Sequence, residues 1–343
     1  MTAAFSERPF AKLLVADAEG RVRHLPRAAL GSLFEPGDLV VANDAATLPA
    51  SHRGIHEPSG GDIELRLAGW VSLHDPARFI ALAFGAGDHR LRTEDRLPPP
   101  LISPGDRLVL GPLVAVVEHT LDHPRLVRIH FTGAPADVVR GLARHGRPIQ
   151  YAHASEPLAI WDTWTRFAAA PIAFEPPSAG FALDWRTLAA WGGRGVRFAT
   201  LSHAAGLSST GDAELDRRLP LDEFYDIQEC CASAVFEAKR EGRRVVAIGT
   251  TVVRALEAAA SADGAVRPGV AIARGRIESG ARLRVVDALL TGVHQPGESH
   301  FELMKAFAND DRLARIDAAA EERGYRGHEF GDSVLIERGG EAM

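Results

Sequence analysis

A strand-turn-helix corner constrains the fold more than any other part of the chain. An apolar β-branched run, Val245–Ile248, stops at Gly249, and a helical pattern follows the pair Thr250-Thr251. This order predicts that the threonine hydroxyls cap the helix. The free N–H groups of its first turn would then face outward, at the positive end of the helix dipole. Such a corner is suited to binding a polar or anionic group.

Two interpretations of Arg254, on the first turns of that helix, remain open. Its guanidinium offers a planar fork that binds a carboxylate or a phosphate, which predicts a ligand-binding role. Alternatively, the threonines only cap the helix, and Arg254 pairs with Glu257 on the protein surface.

From residue 184 onward, helical and strand patterns alternate, which predicts an α/β domain with mainly parallel strands. The predicted helices cover residues 184–191, 223–240, 252–260, 299–308 and 311–323, after earlier helical stretches at 135–145 and 156–170. The predicted strands cover residues 196–201, 244–248, 268–273, 282–290 and 333–336.

Residues 60–132 differ in character from the rest of the chain. Short apolar or alternating runs at 63–67, 79–83, 107–117 and 126–131 are separated by Gly, Pro, Asp and His. This spacing is typical of an all-β module. We therefore predict that residues 1–58 and 133–343 form one discontinuous α/β domain, and that residues 59–132 form an inserted β domain.

Composition and absent motifs exclude several classes of protein. The 343 residues are 46% hydrophobic, an ordinary globular composition, and no apolar run approaches the length of a membrane span. Met1–Pro9 lacks the pattern of a signal peptide, so a cytoplasmic protein without a membrane partner is expected. The only cysteines, Cys230 and Cys231, are adjacent, which excludes a disulfide framework. Because the histidines are scattered and lack paired spacing, no metal site is predicted. The net charge of −6 gives no overall attraction for nucleic acid.

Walker A, HExxH and GxSxG sequences are absent, which disfavours P-loop ATPases, zinc peptidases and α/β-hydrolases.

Polar residues follow several of the predicted strands. Asn43-Asp44 follows the strand at 39–42, Ser178 and Gly180 lie in a turn, and His294 lies in the loop after the run that Asp287 interrupts. Ligands of α/β folds bind outside the carboxyl ends of the strands, so these clusters are predicted to converge. Taken singly, each is more often a turn or a helix cap.

The order of these pieces along the chain resembles the S-adenosylmethionine:tRNA ribosyltransferase-isomerase family of queuosine biosynthesis. The matching pieces are collinear over most of the sequence: Pro36-Gly-Asp-Leu, Asn43-Asp44, Leu48-Pro-Ala, Gly60-Gly61, Ile63-Glu64, Pro177-Ser-Ala-Gly, Glu223-Phe-Tyr225, Gly249-Thr-Thr-Val-Val-Arg-Ala-Leu-Glu257, Val286-Asp287, Leu290-Thr291, His294, Pro296, Ala306-Phe307, Gly324-Tyr-Arg, Gly331-Asp332 and Leu335-Ile336.

The resemblance implies an α/β, barrel-like catalytic domain with an inserted all-β domain. It also implies that S-adenosylmethionine is a consumed substrate rather than a methyl donor. In that family the ribosyl part of S-adenosylmethionine is transferred to the aminomethyl group of a 7-deazaguanine base in tRNA. Rearrangement gives an epoxycyclopentane ring, and adenine and methionine leave. The partners implied are therefore S-adenosylmethionine and tRNA, while the oligomeric state is not predicted.

The resemblance also implies two groups of site residues. The candidates for proton transfer are Asp287, His294 and Glu257. The candidates for substrate binding are Asn43, Asp44, Ser178, Gly180, Tyr225, Thr250, Thr251 and Arg254.

The chain departs from the family pattern where imidazole and guanidinium groups are expected. One family histidine reads Ala182, another is lost or displaced by one position at Ser202-His203, and two arginines read Ala46 and Ser51. Three hypotheses follow: the family reaction on tRNA, a diverged enzyme that uses S-adenosylmethionine with another acceptor such as a small molecule, or a non-catalytic binding protein. The retained strand-turn-helix corner weighs against the third.

Overall fold

In the computed structural model, the chain forms a nine-stranded mixed sheet and a closed six-stranded barrel. This arrangement confirms the predicted α/β class with an inserted all-β domain. The structure describes residues 11–88, 90–91, 95–151, 156–327 and 330–339. The segment Met1–Pro9, on which the signal-peptide argument rests, lies outside the described residues.

The strands fall into three groups. The nine-stranded sheet contains β1 (Lys12–Ala16), β2 (Val22–Pro26), β3 (Leu39–Asn43), β12 (Arg197–His203), β13 (Glu223–Ile227), β14 (Val245–Ile248), β15 (Gly269–Ala273), β16 (Ala288–Gly292) and β17 (Ser333–Glu337). The barrel contains β5 (Ser51–His56), β6 (Gly61–Trp70), β7 (Arg78–Phe84), β8 (Arg107–Leu110), β9 (Leu113–Thr120) and β10 (Leu126–Phe131). A separate pair joins β4 (Ala46–Thr47) and β11 (Pro171–Ala173).

The helices connect the strands of the large sheet, except for one that packs on the barrel. They are α1 (Leu30–Leu33), α2 (Pro135–His145), α3 (Trp185–Arg194), α4 (Ala213–Asp216), α5 (Glu229–Arg240), α6 (Thr250–Ala259), α7 (Ser299–Met304) and α8 (Asp310–Glu322). Short 3₁₀ turns occur at Arg27–Ala29, Ile160–Thr163 and Ser178–Ala182. Within the described ranges, no helix combines the length and the apolar character of a membrane span.

The large sheet has the strand order β15-β13-β12-β3-β14-β16-β17-β1-β2. Its four central strands, β12, β3, β14 and β16, are parallel, whereas β13, β15, β17 and β2 each pair antiparallel with a neighbour. The expectation of mainly parallel strands therefore holds for the centre of the sheet but not for its flanks.

Both faces of the central strands are buried. Leu39 and Val41 of β3 pack in one apolar core with residues of α5, α6 and α8, whereas Val40 and Ala42 pack in a second core with Trp191 of α3. Successive side chains of a strand point to opposite faces, so a strand covered on both sides needs a continuous apolar run. The run at Val245–Ile248 is buried throughout for the same reason.

The barrel starts earlier in the chain than the predicted boundary at 59, because β5 already begins at Ser51. Helix α2 also belongs to this unit, since Val138 and Leu142 share the apolar core of the barrel. A Cβ atom at Gly141 would lie 2.4 Å from a Leu113 side-chain atom, so a glycine is needed for this close approach.

The chain leaves and rejoins the α/β unit at the same place. Strands β4 and β11 pair in parallel, with Ala46 N–H donating to Ala170 O at 2.6 Å and Leu48 N–H donating to Ala173 O at 2.7 Å. We call this two-stranded pair the clasp, because it holds the outgoing and returning segments side by side.

Three predicted elements are corrected by the structure. The helix predicted at 156–170 is wrong, because the described part of this stretch contains only the short turn Ile160–Thr163. The helix predicted at 223–240 begins at Glu229, and Glu223–Ile227 is instead strand β13, with alternating burial. The strand predicted at 282–290 begins only at Ala288.

Candidate active site

The carboxyl ends of β12, β3, β14 and β16 meet at one edge of the large sheet, which we call the carboxyl edge. Strands β13 and β17 run antiparallel to β12 and β16, so both begin at this edge. The loops after the central strands and before the antiparallel ones are thereby brought together, as ligand-binding loops of α/β folds are.

Asn43, the last residue of β3, connects three elements at the carboxyl edge. Its side chain is 1% exposed, accepts the N–H groups of Ala45 and His203 at 3.0 and 2.9 Å, and donates to His203 O at 3.0 Å. It also lies 3.3 Å from Thr251 Oγ1 in the first turn of α6. Asn43 therefore fixes the end of β12 and the start of α6 relative to β3.

The neighbouring Asp44 and Tyr225 also lie at this end of the sheet. The Asp44 carboxylate accepts a hydrogen bond from Ser202 Oγ at 2.6 Å. Tyr225 is buried in β13 directly opposite His203, and burial raises the pKa of its phenol. Both predicted binding residues thus adjoin the strand that ends at His203.

The start of α6 differs from the predicted capping arrangement. Gly249 is the N-cap residue, with φ of 94° and ψ of 153°, and among the described residues no side chain caps the helix. The Thr251 hydroxyl faces Asn43 instead. Within the same ranges, no protein acceptor receives the N–H of Thr250 or Thr251. The prediction of hydroxyl capping is therefore wrong, and the helix N-terminus is left open to an anionic group.

Arg254 is buried and already paired. Its Nη1 forms an ion pair with Glu223, while Nη2 donates to Leu221 O, Ala273 O and Gly275 O at 3.1–3.2 Å. Burial lowers the pKa of Arg254 to about 10, which leaves it charged at neutral pH. The predicted surface pair with Glu257 is wrong, and the predicted open fork is filled by groups of the protein itself.

The two partners of this ion pair lie beside a further buried group. The other Glu223 oxygen accepts Gly206 N–H at 2.6 Å. His203 Nε2 lies 3.6 Å from Glu223, and neither ring nitrogen of His203 has a hydrogen-bond partner among the described residues. Burial, with the charge of Arg254, lowers the pKa of His203 well below its usual value, so this imidazole is neutral.

His294 lies in the loop after β16 and belongs to a chain of hydrogen bonds at the carboxyl edge. Its Nε2 is 2.8 Å from Thr291 Oγ1, and its Nδ1 is 3.3 Å from Glu298 Oε2. Although burial opposes the change, the bond and the charge of His294 lower the pKa of Glu298. An ionised Glu298 accepts Nδ1–H, so in the neutral form of His294 the Nε2 atom accepts the hydrogen bond from the Thr291 hydroxyl.

His300 packs against this group. The ring centroids of His294 and His300 are 4.6 Å apart. Burial, followed by the charge of His294, lowers the pKa of His300 to about 3, so His300 is neutral at physiological pH. The pair therefore consists of one imidazole oriented by a carboxylate and one that supports it by stacking.

The turn Ser178–Ala182 lies against the end of β16. Ser178 and Ala182 line a small depression together with Gly292, Asp332 and Ser333. Gly180 is needed here because a Cβ atom would lie 2.8 Å from Thr165 Cγ2. The position where the family pattern has a histidine, Ala182, therefore borders the carboxyl edge.

Asp287 lies at the opposite edge of the sheet. It precedes β16, whereas His294 follows it, and a five-residue strand spans about 16 Å at the usual rise. Its carboxylate accepts hydrogen bonds from Lys239 Nζ at 3.0 Å, Arg338 Nη2 at 3.1 Å and Val245 N–H at 2.9 Å.

Glu257 is also engaged away from the carboxyl edge. Its carboxylate accepts the N–H groups of Arg284, Val285 and Val286 at 2.8–3.0 Å. The expectation that Asp287 and Glu257 share a site with His294 is therefore corrected: both hold together the segments that lead into β16.

Sequence reasoning missed Glu298, Glu223 and His300 as members of this edge. Glu298 follows His294 by four residues, a spacing that could have indicated a contact, whereas the Glu223–Arg254 pair joins segments far apart in sequence.

Among the described residues, no group of three or more His, Cys, Asp or Glu is arranged to hold a metal ion.

Comparison with known proteins gives a consistent result over the whole chain. Residues 2–336 match the family described as queuosine biosynthesis protein. The S-adenosylmethionine:tRNA ribosyltransferase-isomerase of Sorangium cellulosum is 34% identical, covering 96% of this chain and 93% of that relative. The protein of the same name from Anaeromyxobacter dehalogenans is 33% identical, covering 95% and 92%. A crystal structure of S-adenosylmethionine tRNA ribosyltransferase from Thermotoga maritima is similar in fold, with a TM-score of 0.50, 22% identity, and coverage of 96% and 93%.

The fold and the carboxyl edge define an α/β enzyme with an inserted β barrel, of the transferase and isomerase class that its relatives' names describe. The chain belongs to the queuosine biosynthesis protein family of S-adenosylmethionine:tRNA ribosyltransferase-isomerases.

Proposed function

We propose that this enzyme transfers the ribosyl part of S-adenosylmethionine to 7-aminomethyl-7-deazaguanine in tRNA, with rearrangement of the ribosyl group and release of adenine and methionine. The observation that carries the proposal is the match to relatives named for such a reaction, which extends over nearly the whole chain. No metal is used, and because tRNA is the acceptor we place the reaction in the cytoplasm.

The open N-terminus of α6 is the proposed binding site for the methionine carboxylate. The N–H groups of Thr250 and Thr251 are unpartnered within the described ranges and lie at the positive end of a ten-residue helix. Asn43 holds this turn in place from β3. In this proposal Arg254 does not contact the carboxylate directly, because its guanidinium is held in the buried ion pair with Glu223.

His294 is the proposed proton acceptor. The sulfonium of S-adenosylmethionine acidifies the adjacent C5′ protons, so the reaction requires a base near that carbon. Because Glu298 fixes the proton on Nδ1, the lone pair of His294 Nε2 points toward Thr291 and the carboxyl edge. This arrangement of base and orienting carboxylate is the one used in catalytic triads.

The remaining predicted residues complete the proposed site. Ser178 borders the depression beside Gly292, Gly180 lies in the same turn, and Asp44 and Tyr225 flank the end of β12. These residues form the wall against which the nucleoside would lie. The assignment of Asp287 and Glu257 to catalysis is not carried into the proposal, because both are engaged at the other end of β16.

A second candidate function is favoured by the residue at position 182. Ala182 borders the same depression but supplies no imidazole, and Ala46 and Ser51 supply no guanidinium for a phosphate. An enzyme changed in this way would consume S-adenosylmethionine with a different acceptor, such as a small molecule.

The deciding experiment incubates the purified protein with S-adenosylmethionine and tRNA carrying 7-aminomethyl-7-deazaguanine, and measures adenine and methionine by mass spectrometry. The matched control is the same tRNA with guanine at that position. Release that depends on the modified base is the expected result. Release without tRNA would favour the second candidate, and the absence of both binding and release would contradict enzyme function.

Two variants test the assignment of the base in the same assay. His294→Gln is expected to lower the turnover rate by about 10²–10⁴-fold without changing the urea unfolding midpoint. Asp287→Asn is expected to lower the unfolding midpoint while the folded fraction keeps its turnover rate. The reverse pattern would restore Asp287 as the base and exclude His294.

A further inference from the structure

Three of the five tryptophans in the chain are exposed to solvent. Trp161 is 71% exposed, Trp164 is 44% exposed and Trp185 is 63% exposed. Exposure of such large apolar rings is unusual unless they contact a partner. We call these three residues the tryptophan rim.

Trp161 and Trp164 are held in place by the chain around them. Trp161 lies in the turn Ile160–Thr163, and Trp164 follows directly as its C-cap residue in an extended conformation. Trp164 Nε1–H donates to Thr47 O at 3.0 Å, and Thr47 Oγ1–H donates to Thr163 O at 3.1 Å. The polar edge of one indole is thus satisfied, while its apolar face remains open.

This turn lies next to the candidate active site. Thr47 belongs to β4, which follows Asn43 and Asp44 at the carboxyl edge. Further along, Ala169 N–H donates to Asp44 O at 2.7 Å, so the segment after Trp164 runs beside the exit of β3. The rim is therefore fixed relative to the place where the substrate nucleoside would lie.

Trp185 is carried to the same edge by α3. The helix starts directly after the turn Ser178–Ala182, which borders β16, and Asp184 caps it by accepting the Thr187 N–H at 2.7 Å. Although burial opposes the change, this bond and the positive charges of Arg186 and Arg166 lower the pKa of Asp184. The segments that carry Trp164 and Trp185 also meet directly, because a Cβ atom at Gly180 would lie 2.8 Å from Thr165 Cγ2.

We infer that the tryptophan rim is a stacking surface for unpaired bases of the RNA that carries the acceptor. Single-stranded RNA is recognised by stacking of splayed bases on aromatic side chains and by basic groups that contact the backbone. The rim offers the rings, and Arg186, which is exposed next to Trp185, supplies positive charge. This inference rests on the proposed function, since it takes tRNA as the acceptor.

The test measures the Kd of unmodified tRNA for the full-length protein by anisotropy of a labelled tRNA at fixed salt. Trp161→Ala with Trp164→Ala is expected to raise the Kd by about tenfold for each lost stack, whereas the double phenylalanine variant keeps an aromatic ring and loses less. Phe236→Ala is the matched control, because Phe236 is also exposed, at 57%, but lies on α5. Affinity for S-adenosylmethionine is expected to stay unchanged in all variants.

The outcomes separate this inference from the proposed function. If the wild-type protein releases adenine with tRNA while the double alanine variant binds tRNA normally, the stacking surface is refuted and the function stands. If the variants change only the sedimentation of the free protein, the rim is a contact between two copies of the chain and the inference is overturned. A wild-type protein that binds no tRNA overturns both.

Discussion

At the scale of single residues, the Arg254–Glu223 pair shows how a predicted ligand contact becomes part of the protein interior. Both side chains are almost fully buried, and the guanidinium also serves three backbone carbonyls. Removing one partner of a buried ion pair leaves the other charge desolvated and unpaired. Arg254→Met is therefore expected to lower the free energy of unfolding by about 3–5 kcal/mol, measured by urea denaturation.

An exposed pair nearby provides the control for this prediction. Arg274 pairs with Asp222 at 2.8 Å, but the Arg274 side chain is 73% exposed. Arg274→Met is expected to change stability by less than about 1 kcal/mol. If both substitutions lower the free energy of unfolding equally, the Arg254–Glu223 pair is solvated. Arg254 could then bind a ligand, as its position in the sequence suggests.

At the scale of elements, the start of α6 depends on one glycine. Gly249 has φ of 94° and ψ of 153°, a region that only glycine adopts without strain. A Cβ atom there would also lie 3.4 Å from the Cβ of Ala179. Gly249→Ala is expected to cost about 1–3 kcal/mol and to raise the Kd for S-adenosylmethionine, because the first N–H groups of the helix would turn.

The effect on binding distinguishes this position from an ordinary positive-φ glycine. Gly242 ends the turn after α5 with φ of 65° and has open space around its Cβ position. Gly242→Ala is expected to cost about 1–2 kcal/mol, with no change in ligand affinity measured by calorimetry. Loss of affinity in both variants would point to general destabilisation instead.

Elements with a strong local pattern could be predicted from the sequence, and those fixed by distant contacts could not. Helix α2 matches its prediction because Pro135 begins it and its apolar residues keep a helical period. The turn at Ile160–Thr163 lies in the stretch 156–170, whose periodicity predicts a helix. It is held as a turn by Thr47, more than a hundred residues earlier in the chain.

The same distinction applies to the candidate site. The rule that ligands lie at strand carboxyl ends placed Asn43, Thr250 and His294 together, because it needs only the strand order. It failed for Asp287, since the start of β16 is set by contacts with Lys239 and Arg338 from distant segments. Glu223, although part of the family pattern, is not predicted as a site residue because its alternating strand is joined to the helical pattern that follows.

At the scale of the whole molecule, the two ends of the central strands carry different kinds of contact. The edge opposite the carboxyl edge is closed by ion pairs, with Arg244 bridging Asp38 and Glu337 at the ends of β14, β3 and β17. Within the described ranges, the carboxyl edge has helix N–H groups without a protein acceptor and an imidazole whose Nε2 faces the Thr291 hydroxyl. The buried Arg254–Glu223 pair nevertheless stabilises the carboxyl edge as well.

Neutral histidines with lowered pKa values make the stability of the whole molecule depend on pH. Burial lowers the pKa of His52 in the barrel to about 4 and that of His300 to about 3, while an unfolded histidine titrates near 6.5. Between these values the unfolded chain binds protons that the folded chain does not. Stability is therefore fully present above about pH 6.5 and falls as the pH decreases, by about 2 kcal/mol for each group between pH 7 and pH 5.

Urea denaturation at pH 5, 6, 7 and 8 measures this dependence. His52→Gln carries no titrating group, so its stability is expected to fall less steeply below pH 6.5 than that of the wild type. Above pH 7.5 the two curves are expected to run parallel. An unchanged slope below pH 6.5 would show that His52 is protonated in the folded barrel.

The clasp of β4 and β11 holds the two ends of the barrel segment side by side. Because these two ends are neighbours, a short linker between β4 and β11 could replace the barrel segment without moving the strands of the nine-stranded sheet. Only a few side chains of the host unit, such as Phe174, Leu207 and Leu215, share the apolar core of the barrel. We therefore expect changes in the length of the barrel segment to leave the register of the nine-stranded sheet, and with it the geometry of the carboxyl edge, unchanged.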